Sequence, residues 1–117
     1  MHKIYDPSSY KIVFFSSAPI GIPFLEELAK DDRFDVVGVV TMPDAPAGRG
    51  MKIQENVIKT KAHELHIHDV HTPNKINPDK SDEGKAFAQR LTHKNPDYIV
   101  VIAYGKIIPQ SILDIPT

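Results

Sequence analysis

The side chain best suited to gripping an anion is Arg49, set between Gly48 and Gly50 and followed by Lys52. A guanidinium offers a planar fork of donors that matches a phosphate, and glycines on either side allow backbone angles that a side chain would forbid. Pro43 and Pro46 stiffen the approach to it. Across 42–61 four basic residues, Arg49, Lys52, Lys59 and Lys61, stand against two acidic ones, Asp44 and Glu55, so positive charge gathers locally on a chain whose formal net charge is -1. The chemistry would be phosphate binding by a cationic finger, a contact that positions a nucleic acid without reading its bases. The alternative is an ordinary solvated loop, and composition leaves both open.

A second group follows an apolar run: Ala103, Tyr104, Gly105, Ile107 and Ile108. Gly105 would let a flat ligand reach the backbone while Tyr104, Ile107 and Ile108 supply an apolar wall. Taken alone, these residues favour helix capping and core packing instead. Ser16 and Ser17 end the first apolar run, where turn and cap roles outweigh anion binding. Neither GxGxxG nor GxxxxGKS/T occurs, so nothing supports a dinucleotide or P-loop site. His63, His66, His68 and His71 invite a metal reading, but no single regular element presents all four and no thiolate helps. No metal site is assigned.

Elements that would position these groups are legible in the spacing. The runs 11–15, 35–40 and 98–104 are continuous, apolar and β-branched, as strands covered on both faces are. Pro23 suits a first helical position, with Phe24, Leu25 and Leu28 on one face and an end near Asp31. A second helical pattern over 55–65 places Val57, Ile58, Ala62 and Leu65 on one stripe. A third starts at Ser81 as N-cap, with Asp82 and Glu83 in its first turn and Arg90, His93 and Lys94 near its end, matching the helix dipole. Gly84 stands where a capping-box Glu would be, so that cap is incomplete. A short helix starts at Pro109, and a short strand is placed near Val70. Strands alternating with helices predict an open α/β sheet of parallel strands, whose ligands bind beyond the carboxyl ends. Both candidate groups lie there.

At 117 residues the chain has room for one domain and not for a second. It has no cysteine, which excludes disulfides and thiolate chemistry and fits a reducing cytoplasm. Near-neutral charge means that no global field draws it to DNA or anionic lipid, so any RNA contact is local. No apolar stretch is long enough for a membrane span, and the start lacks a signal-peptide core.

The string VVGVVTMPDAPAGRGMK at 36–52 resembles the loop after the second strand of methionyl-tRNA formyltransferases, whose pattern there is close to VTQPDRPAGRGKK. The string NPDYIVVIAYGKIIPQSILDIP at 95–116 is similar to that family's NPDLIVVVAYGQILPKAVLDIP. The similarity runs from about Lys11 to Thr117 and is weakest between His66 and Lys94. It implies a Rossmann-like open parallel sheet with flanking helices, truncated before the catalytic strand. On this reading 1–10 is a loose arm and 11–117 the N-terminal portion of the formyltransferase domain.

The reaction implied is transfer of a formyl group from 10-formyltetrahydrofolate to the amine of methionyl initiator tRNA, in translation initiation, with no metal. Arg49 and Lys52 match basic positions in the family's loop that enters the tRNA acceptor end. Ala103, Tyr104, Gly105, Ile107 and Ile108 match the stretch beside the folate pocket. Three departures stand out: Ser16–Ile20 read SSAPI where the family has GTPEF, Ala45 replaces an arginine, and His66 replaces a helix-ending glycine. The family's catalytic Asn and His, spaced N-x-H, and a later Asp are expected beyond Thr117, and the chain contains no N-x-H. No catalytic residue is therefore assigned, and the chain by itself is expected to be inactive. Two alternatives are a formyltransferase of the same fold acting on a small amine, which the long PDAPAGRG loop argues against, and a catalytically empty folate- or RNA-binding module.

Overall fold

The computed structural model of the chain describes residues 9–47, 52–54 and 56–116, with 45–47 and 52–54 described by their backbone. β1 (Tyr10–Ser16) is central, parallel to β2 (Phe34–Val40) on one side and β6 (Tyr98–Ile102) on the other. β5 (Val70–His71) pairs with β2, giving an all-parallel sheet in the order β5-β2-β1-β6. This is the expected open α/β sheet, and its period of two sorts β1 onto two cores. Val13 and Phe15 pack with Phe87, Leu91, Tyr104 and Ile112. Phe14 faces the other way, onto Leu25, Ile58 and Ala62. Thus α1 (Ile22–Lys30) and α2 (Val57–Glu64) cover one face while α3 (Asp82–His93) and α4 (Gln110–Leu113) cover the other. Among the described residues no helix is long and apolar enough to cross a membrane.

The helix signals in the sequence have physical counterparts. Ser81 Oγ accepts from the Gly84 amide at 2.9 Å. A Cβ on Gly84 would come within 2.1 Å of the Asn77 carbonyl, which is why no capping-box Glu can stand there. Glu83 instead accepts from the Asn74 amide at 2.8 Å and ties the preceding loop to the helix. His66 adopts φ +62, the left-handed turn in which a glycine commonly ends a helix.

Other expectations are corrected. The third apolar run was expected to be a strand to Tyr104, covered on both faces. β6 stops at Ile102, because Ala103 turns to φ +49, and it pairs only with β1 among the described strands, leaving Val101 42% exposed. Phe24 and Val57, placed on the apolar stripes by spacing, are instead 50% and 41% exposed. The arm expected over 1–10 ends sooner, because Tyr10 is already the first residue of β1; residues 1–8 lie outside the described residues. Finally, the second loop contains a hairpin that spacing did not predict. β3 (Ala45–Ala47) runs antiparallel to β4 (Lys52–Gln54), pairing Ala45 with Gln54, Pro46 with Ile53 and Ala47 with Lys52.

Candidate functional site

Three loops meet at the carboxyl end of the sheet, and hydrogen bonds join them. Ser17, just after β1, donates its amide to the Ala103 carbonyl at 3.0 Å and its hydroxyl to the Tyr104 carbonyl at 2.6 Å. Thr41, just after β2, is fully buried, and its hydroxyl donates to Asn56 Oδ1 at 2.7 Å. The same oxygen accepts from the Ile58 amide at 2.9 Å, so Asn56 is the N-cap of α2. Asn56 Nδ2 donates to the Ser17 carbonyl at 3.5 Å, and the Asn56 amide donates to Asp44 Oδ1 at 3.0 Å. Lys59 Nζ reaches Asp44 Oδ2 at 3.0 Å. The Asn56 amide, and then the Lys59 hydrogen bond, hold the Asp44 carboxyl below its ordinary value of 3.8.

The stretch beyond β6 divides. Tyr104 is 2% exposed, its ring set edge-on to Phe15 with centroids 5.2 Å apart, and burial pushes its phenol up to about 12. Ala103 and Gly105 stay at the surface. Gly105 has φ +95 and nothing within 4 Å of the place a Cβ would take, so its backbone is open to an approaching molecule at a conformation that suits glycine. Ile107 is 94% exposed, whereas Ile108 packs against the core. The expected wall of Tyr104, Ile107 and Ile108 is thus not one surface: only Ile107 of the three faces solvent fully.

Ile107 and Pro109 do line a cleft of about 530 Å³, whose other side is Lys75, Ile76, Asn77, Lys80 and Ser81 from the segment leading into α3. Lys106 spans the two sides, its Nζ donating to the carbonyls of Pro73 and Asn74. The lining mixes apolar carbon with two ammonium groups and no carboxylate, a combination suited to a flat, partly anionic molecule. Sequence reading missed this side, because 72–80 has neither helical nor strand periodicity to mark it.

Of the two expected anion-binding residues, Arg49 lies outside the described residues, and Lys52 is described as the first residue of β4 by its backbone alone. The structure joins the pair β3–β4, whose second strand begins at Lys52, to the same rim as the 103–105 turn, through Asp44, Asn56 and Ser17. Asn56, Thr41 and Asp44 were not singled out as a group from the sequence. An Asn just ahead of an apolar helical stripe was the available signal for the cap.

The histidines scatter. His63 is exposed in the last turn of α2, His66 and His68 are exposed beyond it, and His71 lies in β5 against Phe87. Among the described residues no three His, Cys, Asp or Glu side chains are grouped to hold a metal ion.

An open parallel sheet with its loops gathered at the carboxyl rim is shared by many enzymes, and sequence comparison narrows the class. A family profile described as Formyl transferase matches residues 10–117, and the chain belongs to that family. Its relatives include proteins named methionyl-tRNA formyltransferase. That of Bifidobacterium longum (strain DJO10A) is 38% identical over 104 residues, covering 89% of this chain and 29% of the relative. The Clostridioides difficile (strain 630) protein is 40% identical over 106 residues, covering 91% and 32%. The Idiomarina loihiensis protein is 42% identical over 107 residues, covering 92% and 31%. The chain therefore spans about a third of the length of the curated relatives it matches.

Proposed function

We propose that this chain is the N-terminal part of a methionyl-tRNA formyltransferase, holding both the formyl donor and the tRNA acceptor end at the rim of its sheet. The donor is 10-formyltetrahydrofolate, the acceptor is the amine of methionyl initiator tRNA, and the setting is translation initiation in the cytoplasm. Ala103, Gly105 and Ile107 offer the donor an open backbone and an apolar edge, Tyr104 and Ile108 hold that turn in place from the core, and Arg49 and Lys52 grip phosphate. The observation that carries this reading is the hairpin of β3 and β4, fastened beside the 103–105 turn by Asp44, Asn56 and Ser17. A small amine has no need of so long a basic loop, whereas an RNA terminus with its phosphates does. The names of the relatives, 38–42% identical, support the same acceptor.

The chain has no N-x-H, so on this reading it binds without turning over. The test maps binding residue by residue, by amide chemical shifts of the chain titrated with an acceptor-stem RNA and, separately, with a stable tetrahydrofolate analogue. RNA is expected to move signals at 45–54 and the folate at 103–108. A common footprint for both, or a small amine competing with the RNA, rejects it.

A further inference from the structure

The hairpin is fastened by one carboxylate. Asp44 precedes the first leg, β3, and Asn56 follows the second, β4. Asp44 Oδ1 accepts from the Asn56 amide at 3.0 Å, so this side chain closes the hairpin's base across both legs. Its other oxygen takes Lys59 Nζ, also at 3.0 Å, which anchors the base to the first turns of α2. Both side chains are 28% exposed, shielded enough to fix one geometry and open enough to tolerate substitution. Asn56 passes the connection to Ser17, and Ser17 passes it to the carbonyls of Ala103 and Tyr104. Segments 44–59 and 103–104, far apart in sequence, are thereby joined through Asp44, Asn56 and Ser17.

We propose that Asp44 is a positioning residue, whose carboxylate sets the angle of the hairpin against the sheet rim and so its distance from the 103–105 turn. The inference deepens the function proposed above and rests on it for the identity of what the hairpin meets. A hairpin already held at its working angle loses little freedom when a polyanion docks, and a loosened one must lose that freedom on binding.

Charge and clasp have opposite signs here, which separates positioning from electrostatics. Removing one negative charge beside an RNA strengthens binding by itself. Asp44→Asn removes the charge and the acceptor for Lys59 but keeps an oxygen for the Asn56 amide; Asp44→Ala removes all three. The experiment uses the full chain, an acceptor-stem RNA hairpin with a single-stranded CCA end, and amide hydrogen exchange across 45–54. Asp44→Asn is expected to bind the RNA at least as well as wild type with its hairpin amides still protected. Asp44→Ala is expected to bind about tenfold more weakly and to lose that protection, despite the same gain in net charge. Should Asp44→Ala fail to fold, Asp44→Ser, with an acceptor too short to reach, takes its place. Equal RNA affinity for the two variants, or wild-type protection in Asp44→Ala, overturns the positioning role. If instead the wild-type chain ignores the RNA while Asp44→Ala still loses protection, the acceptor assignment falls and the clasp stands.

Discussion

The Asn56 side chain makes three hydrogen bonds at the rim, and its removal has a calculable cost. In Asn56→Ala the Ile58 amide loses its cap, a loss of about 1 kcal/mol at helix N-termini. The hydroxyl of Thr41, which is 0% exposed and donates to the same oxygen, is left without that partner, at a cost of roughly 1–3 kcal/mol. The single substitution should therefore destabilise by about 2–4 kcal/mol. Thr41→Val removes the donor while leaving Asn56 able to cap, and should cost about 1 kcal/mol. The double variant has no stranded hydroxyl, so it should be less destabilised than the two singles together, by roughly 1–2 kcal/mol of coupling. Urea unfolding of all four proteins, with unchanged slopes, gives the cycle. Additive singles, or an Asn56→Ala variant within about 0.5 kcal/mol of wild type, would refute the network as drawn.

Acid should weaken the fold through His71. Burial, and then the charge of Arg90, hold its imidazole below the ordinary value of 6.5, so the unfolded chain takes up the proton first as pH falls. This contribution is complete above about pH 6.5 and is lost as pH drops through the window down to the lower folded value; Tm measured at neutral and mildly acidic pH, for wild type and His71→Gln, should show the loss only in wild type. Asp69 Oδ1 lies 2.8 Å from His71 Nε2 but shares its carboxylate with Lys94, and a Tm that rises on acidification would mean that this pair outweighs burial. The edge of β6 that pairs with no described strand, with Tyr98 52% and Val101 42% exposed and no charged residue from Tyr98 to Ile102, should make the chain self-associate. Light scattering that stays flat with concentration counts against that.

The sheet and its helices were legible because their signals are local and redundant. β-branched runs marked β1, β2 and β6, and Ser81 with its acidic followers marked α3, each within a window of a dozen residues. What could not be read locally depends on contacts across the chain. The β3–β4 hairpin is closed by Asp44 and Asn56, twelve positions apart, and neither leg has more than three residues with which to show alternation. Tyr104 follows an apolar run as a ligand-facing residue would, yet the left-handed turn at Ala103 sends its ring into the core beside Phe15. A turn of that kind at an alanine has no sequence signature. The cleft beside Ile107 takes its other side from 75–81, where the chain's path is set by α3 and by Lys106 rather than by periodicity.

In the proposed function two ligands meet at one rim from different sides, the RNA end on the hairpin and the folate on the 103–108 turn. Amide shifts of the chain, titrated with the acceptor-stem RNA and with the tetrahydrofolate analogue, for wild type and Arg49→Ala, measure this directly. Separate footprints, with Arg49→Ala weakening the RNA and sparing the folate, are the predicted result. Equal loss of both ligands in Arg49→Ala, or one shared footprint, would contradict it.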